Sequence, residues 1–337
     1  AGPGLTDAVT AVASAHRANV PMICIGGQGP RAFQDMGSLQ DMNHVELMRP
    51  ITKWSVSVPS ANRLAEYVAT AFRKATTNVP GPVFLEMPID LLFEQVDEEQ
   101  VVFPRQYRTE AGIAGDPRAI EKAFELLRKA EHPLAIVGSQ YWFSKNREAY
   151  GKFVDTFQMP IYVNGAARGS LPPGHPHFFQ QTRKDALKGA DVVLIFGTPL
   201  DFRLGYGRPS HINASAKLIH VDLDGGELGR NRACEVGIIG DTGVVMSQLT
   251  ELAESEGFQS SRYQPWVSTL RTLENDKWEK MQPQMNSDAD PIDPLRACKE
   301  IDSVVDDDTF IIGDGGDFVG TAAYTVRPRK PGHWLDP

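Results

Sequence analysis

The 337-residue chain is 41% hydrophobic and 23% charged, the balance of a globular protein with a substantial buried core. Forty-three acidic against 34 basic residues leave a net charge of −9, and no long basic run is present, which excludes an extended electrostatic grip on nucleic acid. Cys24, Cys234 and Cys298 are scattered without any CxxC spacing, so neither a disulfide framework nor a zinc centre is expected, and a reducing, cytoplasmic compartment suits the chain.

After an opening glycine pair, residues 5–17 have helical periodicity, and "VPMICIGG" (20–27) is a short apolar run ending in glycine, as in a strand buried on both faces. A polar, Met-rich loop leads to "RPITKWSVSV" (49–58), a helix-like stretch (61–75) and a second buried strand, "GPVFLEMPID" (81–90). These elements form one α/β layer within residues 1–94. The stretch 95–115 has weak periodicity and reads as a linker. At 116–130 Asp116 precedes Pro117, the N-cap and first-turn signature of a helix. Apolar runs at 133–138, 159–164, 191–197, 217–222 and 236–240 then alternate with helical stretches, which predicts a second α/β domain over 116–255 with a parallel sheet. Residues 256–292 read as a second linker, with one helical segment among turn residues. A third domain opens over 293–337 with a helix (294–302) and a strand running into "IIGDGGDFVG" (311–320).

The dinucleotide fingerprint G-x-G-x-x-G fails at that last segment, because its sixth position is Phe318. The segment is then a phosphate-approaching turn or a plain tight turn. "GTPLDFRLGYGR" places Arg203 and Arg208 at the carboxyl end of a buried strand, where open α/β sheets bind ligands. Arg203 can grip a phosphate there or pair with Asp201. The acidic residues of "HVDLDGGELGRN" (220–231) can accept ribose hydroxyls or cap the next helix, and "HPH" (175–177) reads as a turn. G-x-S-x-G, H-E-x-x-H and a P-loop lysine are all missing, so hydrolase and NTPase readings have no support.

Three stretches taken together are more specific. "GPGLTDAVTAVASAHRANVPMICIGG", "LQDMNHVELMRPITKW" and "GPVFLEMPID" resemble, in order and spacing, the pyrimidine-binding domain of thiamine-diphosphate enzymes of the acetolactate synthase group. "GSLPPGHP", "DVVLIFGTPLDFRLGYGR" and "KLIHVDLDGGELGRN" are similar to that group's central domain, and "GDGGDFVGTAAYTVRPRKPGHWLDP" to the start of its diphosphate-binding domain. "DFRLGYGR" and "GGDFVGTAAYTV" resemble the 2-hydroxyacyl-CoA lyase branch in particular.

The resemblance implies three-layer α/β domains with parallel sheets: part of a pyrimidine-binding domain, a Rossmann-like central domain and the opening of a diphosphate-binding domain. It also implies thiamine diphosphate and Mg²⁺ as cofactors, with FAD or the ADP part of CoA in the central domain. Gln40 falls at the active-site glutamine, where it would hydrogen-bond a substrate oxygen, unless it is a solvated loop amide. Gly2, Pro3 and Gly4 match a loop that approaches the cofactor closely. Gly315, Gly316, Asp317 and Phe318 fall where backbone meets the diphosphate or thiazolium, and Asp317 is out of keeping beside an anion. Arg203 matches the position that touches FAD in acetolactate synthases or the ADP part of CoA in relatives. Arg168 replaces the usual lysine pattern of the flavin-containing synthases, which disfavours a flavin.

On this resemblance the glutamate that activates the cofactor and the Mg²⁺ ligands fall outside residues 1–337, so the chain is expected to be a fragment, inactive alone. The activity implied is cleavage of a 2-hydroxyacyl-CoA to an aldehyde or ketone plus formyl-CoA. The alternative is condensation of two molecules of the 2-oxo acid pyruvate to 2-acetolactate with structural FAD, and a non-catalytic scaffold is a third reading. The family's homodimers or homotetramers are the expected assembly, and an animal relative would place the protein at the endoplasmic reticulum.

Overall fold

The structure, a computed structural model, describes residues 1–335, with Asp317 described by its backbone alone. The chain divides into two compact units, Ala1–Ala111 and Gly112–Pro337.

In the first unit, strands β1 (Met22–Gln28), β2 (Trp54–Ser57) and β3 (Pro82–Pro88) form a parallel sheet in the order β1-β3-β2. The apolar run of β3 is central for a physical reason: Val83, Phe84 and Leu85 are all fully buried, as a strand covered on both faces requires. Helices Pro3–Arg17 and Leu64–Thr76 cover it. Leu5, Val12, Met48 and Phe84 form one small core, and Ala71, Ala75, Val83 and Leu85 form another. Gly2, Pro3 and Gly4 are not a loop. Gly2 is the N-cap and Pro3 the first residue of the opening helix, the position at which a missing N–H costs nothing.

The second unit is built on strands β4 (Pro133–Val137), β5 (Ile161–Val163), β6 (Val192–Phe196), β7 (Lys217–Asp222) and β8 (Val236–Ile239), all parallel, in the order β5-β4-β6-β7-β8. This is the doubly wound order 2-1-3-4-5, whose direction of winding reverses between β4 and β6. Every residue of β4 and β6 is buried. Helix Pro117–Lys129 starts where its sequence said it would, with the Asp116 carboxylate accepting the N–H groups of Arg118 (2.9 Å) and Ala119 (3.2 Å).

Residues 256–292 hold a 22-residue helix, Gln264–Met285, whose Trp266, Val267 and Leu270 belong to the same core as the five-stranded sheet. Glu274 on this helix is 2% exposed. Its carboxylate accepts the N–H groups of Gln180 (3.0 Å), Gln181 (2.9 Å) and Thr182 (3.0 Å) and the Thr182 hydroxyl (2.8 Å). The last segment has its own small core of Cys298, Val305, Ala322, Val326 and Trp334, around helices Pro294–Val304 and Asp317–Thr325 and the parallel pair β9 (Ile311–Ile312) and β10 (Trp334–Leu335).

Candidate functional site

In the first unit, Gly2 and Gln40 are packed against each other. A Cβ built on Gly2 would lie 2.7 Å from Cβ of Gln40 and 3.0 Å from its carbonyl oxygen. The φ of Gly2 is +48° with ψ −117°, a backbone state open to glycine and closed to other residues. Gln40 itself sits at φ +59°, a cost a non-glycine residue bears only when its surroundings impose the conformation.

Behind this contact runs a buried polar chain. The Gly2 N–H donates to Nε2 of His44 (2.9 Å), which leaves Nδ1 to donate to Oε1 of Glu86 (3.1 Å). His44 is fully buried and Glu86 is 6% exposed, so each needs the other to offset the loss of water. Gln28 completes the chain, donating from Nε2 to Glu86 (3.3 Å) and to the Met42 carbonyl (2.7 Å) while accepting the Gly29 N–H (2.8 Å). Gln28, Arg31, Ser38, Asp41, Asn43 and Glu86 line a cleft of about 290 Å³, and Gln40 is exposed outside that lining. His44 and Glu86 were not singled out as site residues from sequence. The available signal was a carboxylate inside the apolar run "PVFLEMP".

In the second unit, the carboxyl ends of β4 and β6 border the point where strand order reverses. Gly197 (φ +56°) closes β6, and a Cβ there would stand 2.4 Å from Cβ of Gln140. That clearance lets the Gln140 side chain reach Asp222 at the end of β7, with Nε2 donating to Oδ1 at 2.7 Å and Oε1 accepting the Leu223 N–H at 3.1 Å. Arg203, at the rim, pairs with its neighbour: Nη2 lies 2.7 Å and Nε 3.2 Å from Oδ2 of Asp201, with the guanidinium beside Phe202 and 42% of the side chain exposed. To hold a phosphate it has to share its charge with Asp201. Asp224 accepts the Gly226 N–H (2.8 Å) inside a turn that leads to β8, so it does not cap a helix as expected. Arg168 donates to the Ala323 carbonyl (3.0 Å) and lies over the Trp334 ring (5.1 Å), tying the last segment to the loop after β5.

Asp222 and His220 are buried neighbours, 1% and 0% exposed, 3.9 Å apart. Nε2 of His220 donates to the Thr198 carbonyl (3.1 Å), and burial drives its pKa down from 6.5 to about 4. Burial pushes Asp222 up from 3.8 to about 6, tempered by the Asp224 N–H and the Gln140 amide. The signs oppose. His220 contributes stability that is present above pH 6.5 and lost as pH falls through about 4. Asp222 contributes stability that is present below pH 3.8 and lost as pH rises through about 6. Asp222→Asn removes the second term, so this variant should lose stability more steeply than the original chain on acidification from pH 6.5 to pH 4. Urea midpoints across that range check this, and equal slopes would contradict it.

In the last segment, the Asp314 carboxylate accepts the Gly315 N–H (2.8 Å), and helix Asp317–Thr325 begins directly after Gly316. A Cβ on Gly315 or Gly316 would meet no atom within 4 Å, so the turn is open beside its glycines, while the Gly315 N–H itself is taken by Asp314. Phe318 is 47% exposed beside them, and the Asp317 side chain lies outside the described residues. Gln40 and Gly2 are therefore brought together in the first unit, and Gly315, Gly316 and Phe318 in the second.

Comparison with known proteins now bears on these sites. Residues 1–47 match the family described as thiamine pyrophosphate enzyme, N-terminal TPP binding domain, and residues 120–249 match thiamine pyrophosphate enzyme, central domain. The chain carries thiamine pyrophosphate enzyme domains. The first match contains Gly2, Gln40 and His44, and the second contains Gln140, Arg203 and Asp222. The chain is 31% identical to 2-hydroxyacyl-CoA lyase 2 of Caenorhabditis elegans and 30% identical to that of Homo sapiens, over 100% of its own length and 58% of theirs. It is 30% identical to a probable acetolactate synthase of Mycobacterium bovis, over 100% of its length and 60% of that protein. The chain thus spans less than two thirds of the curated relatives it matches.

Proposed function

We propose that the chain serves a thiamine-diphosphate-dependent carbon–carbon lyase that acts on a 2-hydroxyacyl-CoA, breaking the C1–C2 bond to give an aldehyde or ketone and formyl-CoA. The observation that carries the reading is the Gly2–Gln40 contact, a glycine-only backbone set against an exposed amide and held from behind by His44 and Glu86. Thiamine diphosphate supplies the electron sink for carbon–carbon cleavage. Residues Gly315 and Gly316, at the open start of helix Asp317–Thr325, would let its diphosphate approach the backbone closely, with the Gly316 N–H as the donor since that of Gly315 is held by Asp314. Gln40 would orient the substrate by hydrogen bonding its hydroxyl or carbonyl oxygen. Arg203 would meet the ADP phosphates of CoA at the reversal point of the five-stranded sheet. Mg²⁺ and an assembly of two or four copies belong to the same reading, with the metal bound outside these residues.

A second reading, acetolactate formation from two pyruvates with FAD at Arg203, is favoured by the identity to the Mycobacterium bovis protein. The test is a product assay on the native protein with thiamine diphosphate, Mg²⁺ and either a 2-hydroxyacyl-CoA or pyruvate. Formyl-CoA with its matching aldehyde supports the lyase. Acetolactate, together with a tightly bound flavin, supports the synthase and overturns the first reading.

A further inference from the structure

We propose that the small pocket between the loop after β5 and helix Asp317–Thr325 is an oxyanion site, built to take a phosphate or carboxylate group on Arg183. This inference does not depend on the reaction proposed above. The pocket measures about 120 Å³ and is lined by Arg168, Phe179, Gln180, Arg183, Gly320 and Tyr324, among others. On a share of ~30 Å³ per liquid water, that is room for one small polyatomic ion and a water or two.

The argument rests on the charge balance at Arg183. Its Nη1 donates to Oδ1 of Asn164 at 2.6 Å, and that acceptor is neutral. Burial lowers the pKa of its guanidinium, partly offset by the neighbouring Tyr324 and Tyr162. Two neighbouring carboxylates, one bonded to the adjacent Thr182 and one two residues on in the chain, are committed elsewhere. Glu274 accepts three backbone N–H groups and the Thr182 hydroxyl, and Asp185 pairs with Lys277. Among the described residues Arg183 forms no ion pair. A half-buried guanidinium without a counter-charge is unfavourable, and an Arg presents a planar fork suited to a bound oxyanion.

The rest of the pocket fits such a guest. Arg168, engaged with the Ala323 carbonyl and the Trp334 ring, also lines the wall, and the site does not rely on its charge. Gln180, whose Nε2 donates to the Ala323 carbonyl (2.9 Å), and Tyr324 add polar groups, and Phe179 closes one side. A Cβ on Gly320 would meet nothing within 4 Å, so the helix leaves the space open at this point. Because Gly320 and Tyr324 lie on helix Asp317–Thr325 while Arg183 lies on helix Arg183–Gly189, an ion held here would brace the last segment against the sheet domain.

The test is titration of the chain with inorganic phosphate or acetate at constant ionic strength set by chloride, following Tm and tryptophan fluorescence. Saturable binding of at least one of the two is expected, and which one binds tells phosphate from carboxylate. Arg183→Gln should bind about tenfold more weakly or not at all, as loss of a charged hydrogen-bond partner implies. Gly320→Leu, which leaves the arginine in place and fills the open space, should abolish binding while the circular dichroism stays that of the folded chain. It also decides the matter if Arg183→Gln does not fold. Absence of saturable binding for both ions, or binding that survives in Gly320→Leu, overturns the proposal.

Discussion

Replacing Glu274 by alanine is expected to cost the second unit about 3–5 kcal/mol, close to half the stability of an ordinary domain. The reason lies in what remains. Three backbone N–H groups, of Gln180, Gln181 and Thr182, and one hydroxyl converge on this one carboxylate in a site that is 2% exposed to water. Each donor left unpaired costs roughly 1–3 kcal/mol, with relaxation and entering water reducing the sum. Glu274→Gln keeps one oxygen but turns an NH₂ toward N–H donors, so it should fall between the two. Urea unfolding followed by tryptophan fluorescence measures both variants. A loss below about 1 kcal/mol in the alanine variant would mean that the network is replaceable by water.

Gly2→Ala is expected to lower kcat/KM of the native protein by about a hundredfold, on the footing that a shift of about 1 Å at a positioning contact costs that much. The added methyl would overlap Gln40, 2.7 Å from its Cβ, and the backbone at φ +48° would strain by roughly 1–3 kcal/mol. Gly4→Ala is the control. Its Cβ would meet no atom within 4 Å, and alanine favours a helix interior, so the fold should be kept or slightly stabilised. If Gly2→Ala matches the original chain in turnover, the Gly2–Gln40 contact has no part in catalysis and Gln40 is a loop amide.

The sheets were legible because the sequence writes buried parallel strands as unbroken apolar runs: "VVLIF" of β6 and "PLAIV" of β4 admit little else at that length. Within 256–292 a helical segment was legible, but not that it runs for 22 residues and packs on the sheet instead of serving as a linker. Its buried residues Trp266, Val267 and Leu270 crowd its first two turns, Leu273, Trp278, Met281 and Met285 are spread among charged and amide residues beyond them, and Pro265 and Pro283 punctuate it like a loop. The packing of that first part on the sheet, which periodicity does not measure, decides its place. The site divides in the same way. Gln40 and Gly2 could be placed by resemblance, whereas His44 and Glu86, 42 residues apart, meet through tertiary structure alone. Glu86 in "VFLEMP" and His220 in "LIHVD" share a pattern that could have flagged them, a titratable residue inside an apolar run, which a folded chain tolerates when a partner waits opposite.

The reversal of strand order between β4 and β6 has an evolutionary reach. The sheet's stability resides in fully buried strand residues, while exposed side chains such as Arg203 stand on the rim at the strands' carboxyl ends. Residues that hold the fold and residues at the rim are thereby separate. A lineage could exchange rim side chains and leave the scaffold untouched, and proteins with the same architecture would then diverge in chemistry faster than in form.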